Sequence, residues 1–227
     1  MKVLELFSGT GSVKKVCEEL GWEVVSVDIT DQFHPVDHKV DILEWDYTKL
    51  EKDFDIVWAS PPCATFSRLT TSWFGRRLKS IGMEVFTKEI QDRREREIGV
   101  VLLDKAKEII KYFEPKYYFI ENPQTGRMKN YMNDYPHVDV DYCRYSDWGY
   151  KKRTRVWTNV EGFEPKLCQR KGRHDVQIGH KGGANLRLKD RYRIPPDLIK
   201  ALFERTNSQG TANTTEQGAD IQENTPP

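Results

Sequence analysis

The feature that most constrains the fold is a set of four short apolar runs separated by segments of helical periodicity. The runs occupy residues 2–7, 23–28, 55–59 and 117–121. Apolar residues recur at helical spacing in Val13–Leu20 and Ile98–Phe113. Strands and helices that alternate in this way are typical of an α/β fold with a mostly parallel sheet.

Four chemically distinctive residues lie at or just after the ends of these runs. They are Gly9, Asp28, Cys63 and Glu121. Ligands of open α/β sheets bind beyond the carboxyl ends of the strands. The sequence therefore predicts that these residues converge at one edge of the sheet.

A glycine-rich turn at residues 8–12 joins the first run to the first helix, which lets the backbone approach a nucleotide-like ligand closely. The Asp28 carboxylate can accept both hydroxyls of a ribose, and Ile29 can cover an adenine. The pair Asp41-Ile42 offers a further polar and apolar contact. This pattern fits NAD, ATP or S-adenosylmethionine. Lys14 replaces the third glycine of a dinucleotide fingerprint, and no Gly-Lys-Ser/Thr motif is present for ATP.

The sequence Ser60-Pro61-Pro62-Cys63 places a thiol on a loop that two prolines stiffen. Such a thiol is expected to face a ligand; the alternative is an inert buried cysteine. In Glu121-Asn122-Pro123, the proline biases the preceding residue away from helix and fixes Glu121 at a strand end. The alternative for Glu121 is a salt bridge at the rim.

Residues 151–157 read as a basic strand with Arg153 and Arg155 on one face and Val156 buried opposite. Two arginines on one face suit phosphate or a developing anion, although an ordinary basic edge strand fits as well. Residues 148–205 hold 15 Lys/Arg and six Asp/Glu, a net charge of +9, whereas the whole chain carries +1. This asymmetry indicates either a solvated basic face or a surface for nucleic acid.

Taken in order, Ser-Gly-Thr-Gly, Val-Asp-Ile, Pro-Pro-Cys, Glu-Asn-Pro and Arg-x-Arg resemble the motifs of the DNA (cytosine-5) methyltransferase family. The likeness covers about residues 2–205, and the short chain resembles the compact stand-alone enzymes of phages and large DNA viruses such as iridoviruses. It implies a Rossmann-like fold and S-adenosyl-L-methionine as methyl donor. The residues that it assigns to the cofactor are Phe7, Ser8, Gly9, Thr10, Gly11, Asp28, Ile29, Asp41, Ile42 and Pro62.

The resemblance also implies catalytic roles. Cys63 matches the nucleophile that adds to cytosine C6, Glu121 the residue that contacts and protonates the base, and Arg153 and Arg155 the arginines beside it. A base stacked in a duplex is out of reach, so the cytosine is expected to flip out. We expect nearby arginines to lower the pKa of the Cys63 thiol.

The expected domains are a catalytic domain at 1–157, a short basic target-recognition segment at 158–187, a closing helix at 188–206 and a disordered tail at 207–227. The sequence departs from the family pattern in three places. Lys151 replaces a glutamine before the paired arginines, and residues 191–196 lack the usual Gly-Asn of the closing motif. The interval between Trp157 and Leu188 is also too short for the target-recognition domain that full-size members carry there.

Double-stranded DNA is the expected partner, and the polar segment at residues 65–91 is expected to be a mobile loop that closes on the target base. The residues expected to contact DNA are Arg68, Arg76, Arg77, Arg170, Lys171 and Arg173.

The four cysteines, at positions 17, 63, 143 and 168, lie in no CxxC or histidine-rich pattern. We therefore expect a reduced, metal-free, intracellular protein of cytoplasm or nucleus. No apolar window is long enough to span a bilayer, and the first strand begins at Val3, so neither a membrane protein nor a secreted one is expected. We expect a monomer.

Three alternatives remain. An RNA cytosine-5 methyltransferase is disfavoured because that branch carries Cys-Phe-Thr where this chain has Leu167-Cys168-Gln169. A non-catalytic nucleic-acid-binding protein would need neither Cys63 nor Glu121. A NAD oxidoreductase conflicts with Lys14.

Overall fold

The computed structural model describes residues 1–172, 174–176 and 186–216, with side chains up to residue 208. Within these residues the strands are β1 (Lys2–Leu6), β2 (Glu23–Asp28), β3 (His38–Lys39), β4 (Ile56–Ala59), β5 (Tyr117–Pro123), β6 (His137–Asp141) and β7 (Arg153–Thr158). The α-helices are α1 (Ser12–Glu19), α2 (Lys88–Arg94), α3 (Val101–Phe113), α4 (Leu188–Tyr192) and α5 (Pro196–Glu216).

In the described part of the chain, the strands form one seven-stranded sheet in the order β3-β2-β1-β4-β5-β7-β6. Strands β1 to β5 are parallel, and β7 runs antiparallel between β5 and β6. Strands β2 and β3 are added on one side of β1, and β4 and β5 are added on its other side. Leu6 of β1 accordingly pairs with Val27 of β2 on one side and with Ala59 of β4 on the other. Such a switch point opens a crevice at the carboxyl ends of the strands. The expected Rossmann-like fold is confirmed.

The central strand β4 is buried on both faces, as expected for a parallel strand covered by helices. Ile56 and Trp58 pack on the face that α1 and α5 cover, where Phe203 of α5 contributes to the core. Val57 and Ala59 pack on the opposite face with α3. A continuous apolar run, without alternation, is therefore the sequence signal of this position.

The predicted helix at 98–113 is part of a longer helical region. A π-helical turn at Glu95–Val100 joins α2 to α3. Gly99 lies in this turn, and an ideal Cβ at this position would be 2.9 Å from the ring of Phe66. Only glycine allows this helix to approach the chain that follows Cys63 so closely.

The segment at 65–91, which we expected to be a mobile loop, contains several short elements of regular structure. It contains 3₁₀ helices at Arg68–Trp73 and Lys79–Ile81, an antiparallel bridge between Arg77 and Val85, and the start of α2 at Lys88. Sequence periodicity does not reveal such short elements, because each is only a turn or a single pair long.

The closing segment also differs from expectation. The predicted helix at 188–206 is divided into α4 and α5 at Arg193–Pro195, because Pro196 occupies the first turn of a helix, a position that suits proline. Helix α5 continues to Glu216, into the segment at 207–227 where we expected disorder. Among the helices of the described residues, none has the length and apolarity to cross a membrane.

Candidate active site

A cavity of about 540 Å³ lies at the carboxyl ends of β1, β2, β4 and β5. Its volume suits a small-molecule ligand. All the predicted cofactor residues except Gly11 line it, and so do Cys63 and Glu121. The convergence that the strand ends predicted is therefore present.

The turn after β1 is held to the end of β2 by Asp28. Its Oδ2 accepts the Gly9 N–H at 2.9 Å, and its Oδ1 accepts the Thr30 N–H at 3.0 Å. Phe7, with φ of 56°, and Gly9, with φ of 54°, both adopt the left-handed conformation. For Phe7 this conformation costs on the order of 1–3 kcal/mol, a strain typical of ligand-binding turns.

Gly11 has a packing role instead of a place in the cavity wall. Its φ is 65°, and an ideal Cβ there would be 2.8 Å from the His34 ring. The His34 Nε2 in turn lies 2.9 Å from Ser8 Oγ. Gly11 thus allows the histidine to approach the turn and contact a residue that lines the cavity.

Glu5, which the sequence analysis did not single out, lies beneath this turn and is only 2% exposed. It accepts hydrogen bonds from Ser8 Oγ at 2.7 Å and from the backbone N–H groups of Val13 and Lys14, each at 3.2 Å. The carboxylate therefore joins the turn to the first turn of α1. Burial raises the pKa of Glu5 to about 7, although these hydrogen bonds oppose the rise. The sequence signal for this role of Glu5 was its position as the one acidic residue of the largely apolar strand β1.

Cys63 is half-buried at the cavity wall. Burial raises the pKa of its thiol, the positive charge of Lys152 lowers it, and the negative charge of Glu121 raises it. A smaller lowering comes from Arg191. Arg191 thus lowers the pKa of the thiol as expected of a nearby arginine, but Lys152 lowers it more, and burial keeps the pKa above its usual value.

Glu121 is buried beside the thiol loop. Its Oε1 accepts the Tyr142 hydroxyl at 3.0 Å and lies 3.8 Å from Lys152 Nζ. The neighbouring Asn122 donates through Nδ2 to the carbonyl oxygen of Pro61 at 2.8 Å. This bond connects the end of β5 to the loop that carries Cys63.

Arg153 and Arg155 lie on one face of β7 with Val156 buried, as predicted. Each guanidinium forms a two-bond ion pair, Arg153 with Asp141 at 3.1 and 2.6 Å and Arg155 with Asp139 at 2.7 and 2.9 Å. Neither arginine is among the described residues that line the cavity, whereas Lys152 is. The reason is β6, whose register places an aspartate opposite each arginine.

The residues predicted to contact DNA lie in two places. Arg68, Arg76 and Arg77 are exposed on the segment that follows Cys63, where Leu69 and Trp73 are exposed as well. The other group follows β7. There Lys171 is exposed, Arg170 Nη2 lies 3.2 Å from Asp175 Oδ1, and Arg173 lies outside the described residues.

Comparison with known proteins identifies the family. Residues 1–134 match the profile of the C-5 cytosine-specific DNA methylases. The chain is 45% identical over 226 residues to a "Probable DNA (cytosine-5)-methyltransferase" of Frog virus 3 (isolate Goorha), with 90% of this chain and 99% of the relative covered. The expected resemblance to an enzyme of a large DNA virus is thus confirmed.

Two solved structures were also matched. The Entamoeba histolytica methyltransferase EhMeth is 19% identical, with a TM-score of 0.48, over 75% of this chain and 57% of that one. The S. pombe Dnmt2 methyltransferase is 14% identical, with a TM-score of 0.39, over 80% of this chain and 61% of that one. Family membership rests on the profile and on the viral relative. The chain belongs to the C-5 cytosine-specific DNA methylase family, whose members are DNA (cytosine-5-)-methyltransferases.

Proposed function

We propose that this protein transfers the methyl group of S-adenosyl-L-methionine to C5 of a cytosine flipped out of duplex DNA, through a covalent bond between Cys63 and C6. The observation that carries the proposal is the single cavity whose wall includes Asp28 and Ile29 as well as Cys63 and Glu121. A nucleoside group and a reactive thiol can therefore share one space.

The cavity residues fit the cofactor. Ile29 is 66% exposed although it lines a cavity, so it offers an apolar surface that an adenine can cover. The half-buried Asp28 carboxylate suits ribose hydroxyls, and the turn at Gly9 brings backbone close to the ligand. When bound, the cofactor supplies an electrophilic methyl group on a sulfonium.

The chain's own residues would activate the cytosine. The Cys63 thiolate adds to C6 while Glu121 gives a proton to N3, which leaves C5 electron-rich. C5 then takes up the methyl group. Loss of the C5 proton to a base then expels the Cys63 thiolate, and N3 returns its proton to Glu121, which restores the aromatic ring. Lys152 assists because its charge favours the thiolate that burial disfavours.

The exposed segment after Cys63 supports binding of a flipped base. It combines cationic and apolar side chains next to the cavity, among them Arg68, Leu69 and Trp73. Cations attract the phosphate backbone, and large apolar side chains can replace the lost base stacking. We propose that Arg76 and Arg77 add to this surface. We propose that Arg170, Lys171 and Arg173, which belong to the target-recognition segment at 158–187, contact the DNA as well.

Nucleoside mass spectrometry tests the proposal. The protein is incubated with S-adenosyl-L-methionine and unmethylated duplex DNA, and with RNA in parallel. We expect 5-methyldeoxycytidine in DNA, none in RNA, and none in DNA with Cys63→Ala. Methylation of RNA alone would favour the RNA alternative. Methylation of neither, or undiminished DNA methylation by Cys63→Ala, would contradict the proposal.

A further inference from the structure

Two cysteines and one histidine lie together beside β6, the edge strand of the sheet, and none of the three lines the cavity. Cys143 follows β6, and Cys168 and His174 belong to the segment after β7. Their possible ligand atoms all lie within 4.8 Å of one another, and Cys168 Sγ is 3.3 Å from His174 Nε2. All three side chains are half-buried. We propose that Cys143, Cys168 and His174 bind a Zn²⁺ ion.

The geometry and the donor types both favour zinc. Zn–S bonds of about 2.3 Å and Zn–N bonds of about 2.1 Å place tetrahedral ligand atoms about 3.5–3.8 Å apart. The cluster is already close to that spacing. Thiolate and imidazole together select zinc over magnesium or calcium, which prefer oxygen. Three protein ligands leave one tetrahedral position, which solvent can fill.

Backbone hydrogen bonds on both sides of the cluster hold the ligands in place. The Cys168 N–H donates to Asp141 Oδ2 at 2.8 Å, and the Lys166 N–H donates to the Tyr145 hydroxyl at 2.9 Å. Further along, the Val176 N–H donates to the Gly149 carbonyl at 2.9 Å. The cluster thus lies between anchored points and does not depend on a free loop.

The charges balance when the metal binds. Two thiols lose their protons to solvent, and the two thiolates neutralise the dication. Asp141 Oδ2 accepts from both Cys168 N–H and Arg153 Nη2, the latter at 2.6 Å. The metal would therefore fix the segment after β7 against the Arg153–Asp141 pair. In consequence it would hold Cys168 and His174, both of which lie in the stretch that we assign to target recognition.

The expectation of a metal-free protein rested on the sequence, in which Cys143 and Cys168 are widely separated. The fold brings them together, because β7 returns antiparallel to β6 and the following segment packs against the turn after β6. No local spacing motif reveals such a site.

Metal analysis of the full-length protein tests the proposal without any activity measurement. Protein kept reduced with a non-chelating phosphine is incubated with Zn²⁺, desalted and measured by elemental mass spectrometry. We expect one Zn²⁺ per chain. Co²⁺ in place of Zn²⁺ should give thiolate-to-cobalt charge-transfer absorption and the visible bands of a tetrahedral site.

Variants distinguish this site from metal bound elsewhere. Cys143→Ser, Cys168→Ser and His174→Ala should each lower zinc affinity at least about tenfold in a chelator competition, as loss of one ligand predicts. Cys17→Ala removes a buried thiol outside the cluster and should keep one Zn²⁺ per chain. Circular dichroism verifies that each variant is folded.

Three results would overturn the inference. One is reduced wild-type protein that retains no stoichiometric zinc. Another is zinc content and affinity that folded Cys143→Ser and Cys168→Ser leave unchanged, which indicates adventitious binding. The third is a cobalt spectrum without thiolate charge transfer. All three are independent of methyl transfer, so they do not bear on the proposed catalytic function.

Discussion

Asn122 Nδ2 donates a hydrogen bond to the carbonyl oxygen of Pro61 at 2.8 Å, and this bond joins the strand end that carries Glu121 to the loop that carries Cys63. The two residues are 61 positions apart in the chain. The bond therefore helps to hold the Glu121 carboxylate and the Cys63 thiol at a fixed relative position.

Asn122→Ala should slow methyl transfer with little effect on cofactor affinity. The change leaves the Pro61 carbonyl without its donor, at a cost of roughly 1–3 kcal/mol. It also frees the Cys63 loop, and small displacements of reacting groups cost about tenfold or more in rate. Single-turnover methylation and cofactor titration check this. Asn133→Ala, at an exposed amide, is the matched control.

Glu5 should make the free energy of unfolding depend on pH. Its folded pKa of about 7 lies above the usual value of 4.5, so the folded state binds the proton more tightly. This contribution is fully present below about pH 4.5 and is lost as pH rises towards 7. Its full size is on the order of 3 kcal/mol.

Glu5→Gln should remove that pH-dependent component, because the amide does not titrate. Urea unfolding at several pH values between 4.5 and 8 should show a flatter profile than the wild type. Glu44→Gln, at an exposed carboxylate, should leave the profile unchanged. Equal slopes for wild type and Glu5→Gln would show that Glu5 does not titrate in this range.

Lys152→Ala should raise the pKa of the Cys63 thiol further, since it removes the largest influence that lowers this pKa. Alkylation of Cys63 by iodoacetamide should then need a higher pH, as peptide mass spectrometry can follow. Lys152→Arg keeps the charge and should restore most of the wild-type profile. Lys151→Ala changes a neighbouring lysine outside the cavity lining and should have no effect on Cys63.

Gly11→Ala and Gly21→Ala form a matched pair, because both glycines have positive φ, 65° and 69°, but only Gly11 faces a close neighbour. Each alanine should cost about 1–2 kcal/mol for its left-handed backbone. Gly11→Ala should cost more, since it displaces the His34 ring, and should also weaken cofactor binding. Gly11→Ala with His34→Ala should recover part of the stability. Equal losses for both single variants would argue against the His34 contact.

The fold and the rim of the cavity were largely predictable, because each depends on strands that the sequence marks locally. A continuous apolar run such as 55–59 signals a buried parallel strand, and the residue after such a run lies at the carboxyl edge. This reasoning placed Asp28 and Cys63 in one cavity without knowledge of the fold.

What sequence reasoning missed depends on contacts between distant segments. Strand β6 has the alternating sequence His-Val-Asp-Val-Asp, and its period of two was the available signal. Without β6, Arg153 and Arg155 appeared free to face a base, whereas their partners Asp139 and Asp141 lie in the neighbouring strand. The proximity of Cys143 and Cys168 has no local sequence signal. It arises because β7 runs antiparallel to β6 and the segment after β7 packs against the turn after β6.

Helix α5 has a consequence for the order in which the molecule can assemble. Leu198, Ile199, Leu202 and Phe203 complete the core on one face of the sheet, and Tyr117 of β5 donates from its hydroxyl to the Thr206 carbonyl at 3.1 Å. Since α5 follows all the strands of the described residues, the part of this face that α1 does not cover stays exposed while a ribosome is still making the preceding residues. The residues before α5 therefore cannot complete their hydrophobic core until α5 has been synthesised. An apolar sheet face that is exposed at that stage is a surface that chaperones bind.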